Sequence, residues 1–372
     1  MLQDNMKKTF LFAIAILAAL SGCTSPTATV TATLKKAVAE GSVLYGHQDD
    51  LMYGHTWNAT EENDHNLDRS DVLFVTGDYP AILGLELGDF ELGHQLNLDG
   101  NDIDITREAA IKHYQRGGIV TLSWHPNNPA TGGNAWDVSG GNVVKRILPG
   151  GDLHEVWMER FIRITDFIAS IKTPDGKPVP IIWRPWHEHT GSWFWWGWNL
   201  CSAEEYNALW VMTYDYMVKE RGLKNLLWAT SPNGMDDFQN WTERYPGDKY
   251  VDILGYDMYC PTWLPQPEAI PYYITHTRKD LEILTAFAKQ HNKLIAFTET
   301  GYEGLTYPTW WTEVLAPAIE GFPIAYFLTW RNASTPGNRD THFYAPFPGG
   351  PTENDFCEFI ENNNILLLND IK

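Results

Sequence analysis

The sequence predicts a single (β/α)8 barrel on three observations. Short runs rich in β-branched and apolar residues recur eight times, and longer amphipathic segments alternate with them. A polar or aromatic residue suited to chemistry stands at the C-terminal end of most runs. Strand followed by helix, repeated over about 300 residues, is the pattern of this barrel, whose active sites lie at the strand C-termini.

In chain order the strand candidates are Val43–Gln48, Ala81–Leu87, Ile119–His125, Pro180–His187, Asn225–Ser231, Asp252–Tyr259, Lys293–Thr298 and Ile324–Trp330. Leu153–Ile171, Ala203–Glu220 and Tyr273–Gln290 carry helical periodicity between them. Gln48, Glu86, His125, Glu188, Tyr259, Glu299 and Trp330 fall at or just past strand ends. A doubly wound open sheet is the competing architecture. It needs a glycine-rich phosphate turn after the first strand, and Tyr45-Gly46-His47-Gln48-Asp49 does not supply one.

The chain opens with a processing signal. Met6-Lys7-Lys8 is a short positive region, Thr9–Leu20 an apolar stretch too short to span a bilayer comfortably, and Leu20-Ser21-Gly22-Cys23 resembles the lipobox of bacterial lipoproteins. Residues 1–22 therefore read as a signal peptide, with Cys23 as the lipidated N-terminus. Residues 23–36 read as a tether, its Ser25–Thr33 part small and polar, and 37–372 as the barrel. The absence of acidic residues just after Cys23 favours the periplasmic face of the outer membrane over the cell surface. No Gly/Ser/Pro-rich linker and no fixed-period repeat divides the body.

A net charge of −20 argues against nucleic acid and anionic polymers as partners, because nothing neutralises phosphates. A neutral substrate is compatible with it. Beyond Cys23 only Cys201, Cys260 and Cys357 remain, an odd count too widely spaced for a disulfide framework or a CxxC metal site, and one bridge at most can form. The 17 Trp and 17 Tyr suit a cleft that stacks sugar rings, although many must also be core.

Glu188 after the fourth strand and Glu299 at the seventh can meet over the mouth of an eight-stranded barrel. Two carboxylates about 5–5.5 Å apart are what retaining glycoside hydrolysis requires, one protonated and one ionised. By the period of two, Arg184, Trp186 and Glu188 share a face along the fourth strand, so Arg184 is expected to point into the barrel and pair with Glu299. Glu188, beside indoles such as Trp193, is then desolvated and keeps its proton.

Arg184-Pro185-Trp186-His187-Glu188, with Gly191-Ser192-Trp193-Phe194-Trp195-Trp196-Gly197, resembles the acid/base segment of glycoside hydrolase family 26. Phe297-Thr298-Glu299-Thr300-Gly301 resembles its nucleophile strand. Tyr45-Gly46-His47-Gln48, Ser123-Trp124-His125-Pro126, Asp257-Met258-Tyr259 and Trp330-Arg331 extend the likeness along the chain. The resemblance implies a retaining β-1,4-mannanase on a (β/α)8 barrel, with Glu188 as acid/base and Glu299 as nucleophile. It implies that His125, His187, Trp193 and Tyr259 line the sugar site, and that Trp330 and Arg331 reach the neighbouring sugar on the non-reducing side. The expected partners are β-mannan or manno-oligosaccharides, and the chain is expected to act as a monomer. No cofactor is needed, since two carboxylates and a water complete both steps. Many family members read His-Glu-Met-Asn-Gly where this chain reads His187-Glu188-His189-Thr190-Gly191, which leaves fine preference open. Mixed-linkage β-glucan, β-1,3-xylan, or release of mannobiose from chain ends are the alternatives.

Two other readings compete. His187 and His189 form an HxH pair that binds metal in some barrel hydrolases, with His125 and Asp257 as further ligands, but that leaves Glu299 unexplained. A sugar-binding lipoprotein without activity has no need of both carboxylates. The stretch from Trp193 to Trp198 is expected to be a loop that holds the acid/base and the sugars around it.

Overall fold

A computed structural model describes residues 25–59, 67–235, 238–333 and 338–372. The signal segment 1–22, Cys23 and Cys23's proposed lipidation lie outside the described residues. Among those described, eight parallel strands close into a barrel surrounded by helices. They are β1 (Val43–Gln48), β2 (Ile82–Glu86), β3 (Ile119–Ser123), β4 (Ile181–Arg184), β5 (Leu226–Thr230), β6 (Ile253–Tyr259), β7 (Leu294–Gly301) and β8 (Ile324–Thr329). Each pairs with its sequence neighbour, and β8 returns to β1 with Leu44 opposite Tyr326 and His47 opposite Thr329. Closure leaves no open edge between first and last strand. All eight predicted strands are present.

The helices that matter here are α1 (Ala28–Glu40), α2 (Ile103–Gln115), α3 (His154–Ser170), α4 (Ala203–Tyr214) and α5 (Gln266–His291). The predicted segments Leu153–Ile171 and Tyr273–Gln290 coincide with α3 and the body of α5. The third, Ala203–Glu220, is α4 followed by a π-helical turn at Asp215–Glu220. α4 starts on a capping box, in which Ser202 Oγ accepts from the Glu205 amide and Glu205 accepts from the Ser202 amide.

The apolar interior has two shells. Inside the barrel, Leu44, Ile82, Ile119, Ile182, Ala296 and Ala325 pack together with Val30, Leu34 and Ala37 of α1. Helix α1 thus plugs the N-terminal mouth, which corrects the tether reading of residues 23–36 from Ala28 onward. Val30, Leu34 and Ala37 stand at helical spacing, and Gly41 ends the helix at φ 69°, a left-handed conformation suited to glycine. The β-branched and polar character of SPTATVTAT hid this, because packing overrides a weak local preference. The second shell lies between the strands and the outer helices. There Trp124 stacks on Trp157 and Trp183 with ring centroids 5.4 and 6.2 Å apart. Much of the Trp content is therefore scaffold.

Strand β4 ends three residues earlier than predicted. Pro185 has no amide for the ladder, and Trp186 turns to φ 56°. Alternation stops there, so Arg184 and Trp186 do not share a face. Arg184 points into the barrel, while the buried Trp186 packs outside it, 5.5 Å from Trp124, and donates its Nε1–H to Thr213 on α4 at 3.0 Å.

Candidate active site

The C-terminal strand ends build the site, with Glu86, Arg184, Asp257, Tyr259 and Glu299 inside their strands and His125 and Glu188 just past theirs. Glu188 takes φ 53°, a left-handed conformation costly for a residue with a Cβ, and its amide donates to the Ser231 carbonyl at 2.6 Å. Two consecutive reversals, at Trp186 and Glu188, swing the Glu188 carboxyl over the mouth. Trp193 Nε1–H donates to its Oε2 at 2.6 Å, and Asn233 reaches Oε1 at 3.4 Å.

Glu299 faces it from β7. Its Oε1 accepts from the Arg184 guanidinium and its Oε2 accepts from the Tyr259 hydroxyl at 2.8 Å. The same guanidinium bonds Asp257 Oδ2 at 2.9 Å and Ser231 Oγ at 3.1 Å. Asp257 is further held by Thr298 Oγ1 at 2.6 Å. The Arg184–Glu299 pairing expected from the sequence is present, although the strand geometry that delivers it is shorter than expected.

Oxygens of Glu188, Asp257 and Glu299 lie within 4.8 Å of one another. Three carboxylates so close cannot all be ionised without a strong compensating charge. Arg184 supplies one positive charge and binds Glu299 and Asp257, leaving Glu188 to hold a proton. Burial pushes the Glu188 carboxyl well up, and the charges of Glu299 and Asp257 push it further; Trp193 and Arg184 oppose this. Burial also raises Asp257, against the pull of Arg184. This trio is the one group among the described residues that could supply three ligands to a metal ion, and two of its members already share the single charge of Arg184. His187 and His189 do not converge. His187 turns to His125, while the His189 ring packs 4.6 Å from Tyr206, so the HxH metal reading finds no support.

A second chain of contacts builds the adjoining wall. Glu86 on β2 accepts from Ser123 Oγ at 2.7 Å, from the His125 and Gly88 amides at 2.9 and 2.6 Å, and from His125 Nδ1 at 2.8 Å. Burial alone raises a carboxyl, but His125 and these donors hold Glu86 down at about 2. For His125, burial disfavours the charge and Glu86 outweighs it, so the imidazole is raised. His187, buried near Arg184 and His125, is held well below its ordinary value. The Nε2 atoms of the two rings lie 2.9 Å apart. One ring therefore donates its Nε2–H to the other. His187 is only 1% exposed and therefore orients His125 more than it faces the cleft.

Of the remaining predicted residues, Trp193 is 39% exposed and stands on the rim. Trp330 lies edge-on to His125 with centroids 6.2 Å apart. Arg331 sits one step further out, bonding Asp99 at 2.9 Å and the Tyr53 hydroxyl at 3.3 Å. The Trp-rich loop divides its labour. Trp193 contacts Glu188, whereas Trp195 and Trp196 are fully buried and donate to the carbonyls of Pro126 and His187, both at 2.8 Å. The expectation that the whole stretch surrounds the sugars is corrected accordingly. Arg244, also buried, clamps that loop through the carbonyls of Trp196, Gly197, Trp198 and Cys201. Cys201, Cys260 and Cys357 are free thiols.

Sequence reasoning passed over Asn233 and Trp136. The fifth strand was the one with no polar end residue singled out, because Asn233 lies past Ser231-Pro232 in a turn. Trp136 stacks on His125 at 5.1 Å from a long loop that has no periodicity.

A closed parallel barrel with two carboxylates from the fourth and seventh strands meeting at the C-terminal mouth defines the class: a glycoside hydrolase of the two-carboxylate type. A model of glycosyl hydrolase family 26 matches residues 22–292, and the chain belongs to that family. It is 32% identical over 356 residues to a mannan endo-1,4-beta-mannosidase of Bifidobacterium adolescentis, covering 91% of this chain but 35% of that protein. It thus spans about a third of that relative. A second mannan endo-1,4-beta-mannosidase, from Bacillus subtilis, is 32% identical over 292 residues, 76% of this chain and 72% of that one. Among solved structures, a GH26 beta-mannanase from Bacteroides ovatus superposes with a TM-score of 0.85 at 42% identity, covering 93% of this chain and 96% of the other.

Proposed function

We propose that this enzyme hydrolyses internal β-1,4-mannosidic bonds in mannan, galactomannan or glucomannan with retention of configuration. Glu299 is the nucleophile and Glu188 the acid/base. The observation that carries the reading is the approach of one oxygen of each carboxylate to within 4.8 Å of the other, well short of the roughly 6.5–9.5 Å at which an inverting enzyme seats a water opposite the leaving group, which favours direct attack on the sugar.

In the first step a Glu299 oxygen bonds the anomeric carbon as the bond to the leaving oxygen breaks, and that oxygen takes the proton of Glu188. In the second, water gives a proton to Glu188 and its oxygen to the anomeric carbon, and Glu299 departs as a carboxylate. Arg184 and Tyr259 steady the charge on Glu299 before it attacks and again as it departs. His125, Trp193 and Tyr259 surround the reacting sugar, Trp330 and Arg331 serve its neighbour on the non-reducing side, and His187 and Arg184 position their partners. Mannan as substrate is supported by the names of the relatives. Hydrolysis of mannan, mixed-linkage β-glucan and β-1,3-xylan by wild type, Glu188→Ala and Glu299→Ala tests this. Mannan cleavage lost in both variants is expected; cleavage of glucan or xylan alone overturns the substrate, and full activity in either variant overturns the roles.

The chain is further proposed to be exported and lipid-anchored at Cys23 on the periplasmic face of the outer membrane, acting as a monomer. With α1 plugging the N-terminal mouth, an anchor at Cys23 keeps the opposite, C-terminal mouth turned from the bilayer. Cell fractionation of wild type and Cys23→Ala checks this. Release of the variant into the soluble fraction is expected, and equal membrane retention contradicts it.

A further inference from the structure

We propose that Trp263 is a stacking platform for a pyranose unit of the leaving-group portion of the polysaccharide, beyond the first unit past the scissile bond. This rests on the glycosidase reading above and extends it to a residue outside the catalytic group.

Glu188 delivers its proton to the leaving oxygen, so the space next to the residues that hold Glu188 receives the leaving sugar. Trp193 and Asn233 hold it, and both line a cavity of about 340 Å³ whose far walls include Trp198 and Tyr272. A second cavity of about 370 Å³ shares Asn233, Met258 and Tyr272 with the first and continues to Tyr259, Trp263 and Glu303. The two together form a trough running outward from the carboxylates, and Trp263 stands on its rim.

A single exposed apolar side chain is ordinary on a protein surface. Two features set Trp263 apart. At 73% it is the most exposed large hydrophobic residue described, so its indole is open to a ligand. It is also braced. Tyr272 of α5 meets it edge-on with centroids 5.9 Å apart, and Tyr272 in turn stacks on His276 at 3.8 Å. A ring held in place before the ligand arrives loses little freedom on binding, and its flat face suits the apolar C–H face of a pyranose while the hydroxyls stay in water. Among the described residues that line it, the trough carries no cluster of positive charge, in keeping with a neutral chain. Trp263 lies four residues past Tyr259 in the loop after β6, so one strand end serves both the nucleophile and the platform.

The test is direct binding of β-1,4-linked manno-, gluco- and xylo-oligosaccharides, trimer and hexamer of each, to the full-length Glu299→Ala protein with and without Trp263→Ala. Calorimetry under identical conditions gives the constants. The platform predicts that the hexamer of the cognate sugar binds about tenfold more weakly to the double variant while the trimer is unchanged, a typical effect of removing an aromatic anchor. Loss confined to the manno-hexamer supports both the platform and mannan as substrate. Loss confined to the gluco- or xylo-hexamer supports the platform and overturns mannan. No length-dependent change with any sugar, or an equal loss for trimer and hexamer, overturns the platform. Because the indole is exposed, the variant is expected to keep its unfolding temperature.

Discussion

Arg184 on the fourth strand reaches across the barrel interior and binds Glu299 on the seventh, while a second nitrogen of the same guanidinium holds Asp257 on the sixth. One buried cation thereby fixes two of the three carboxylates in the mouth and leaves the third, Glu188, as the group that keeps its proton. The division of roles between the two glutamates follows from where that single positive charge sits.

Replacing Arg184 by Met leaves Glu299 and Asp257 as neighbouring buried carboxylates with no cation. Breaking a buried ion pair in this way costs about 3–5 kcal/mol. Denaturant unfolding is expected to show a loss of that order, together with a collapse of kcat. Arg184→Lys keeps the charge but cannot bridge both partners with a planar fork, and is expected to recover part of the stability and little of the rate.

Glu188 must be protonated for the first step, so activity falls as pH rises through its elevated value. Trp193 donates to the Glu188 carboxylate and favours the ionised form, pulling that value down. Trp193→Phe removes the donor. The alkaline limb of the kcat/KM profile is therefore expected to move to higher pH; an unmoved or lowered limb contradicts the assignment.

Glu86 is held near 2 by His125, well below an ordinary carboxylate, so its contribution to stability is complete above about 4.3 and is lost as pH falls toward 2. Stability of the wild type is expected to drop across that window. Glu86→Gln is expected to start lower and to drop less steeply there. The same variant removes the charge that raises His125, and proton NMR titration is expected to find that imidazole deprotonating at lower pH.

An aryl mannobioside with a dinitrophenolate leaving group needs no proton on departure. Glu188→Ala is expected to lower kcat/KM for mannan by roughly 10²- to 10⁴-fold, the usual worth of a general acid, and to spare much of it for the aryl substrate. Glu299→Ala is expected to lose both. Equal losses on the two substrates in Glu188→Ala contradict its role.

Much of this site was readable in the sequence because barrel strands obey a strict period. All eight strands were placed by their β-branched runs, and Glu299 with Tyr259 could be assigned to inward positions. Where the backbone leaves regular geometry, the reading failed. Trp186 and Glu188 sit at positive φ after Pro185, a pair of reversals that no periodicity announces. Asn233 and Trp136 come from turns, and their contacts depend on tertiary distance alone. Residues 28–36 looked like a polar tether, and only the packing of Val30 and Leu34 against the barrel floor makes them a helix. Leu34→Ala is expected to destabilise the fold by about 2–5 kcal/mol, as core truncations do, which a true tether residue does not.

The central claim is that two carboxylates this close work by double displacement. The most direct measurement is proton NMR of the anomeric region during the first minutes of manno-oligosaccharide hydrolysis, before mutarotation. The β-anomer is expected as the first product, since two inversions restore the starting configuration. Initial release of the α-anomer means a single displacement by water, and contradicts the roles given to Glu188 and Glu299.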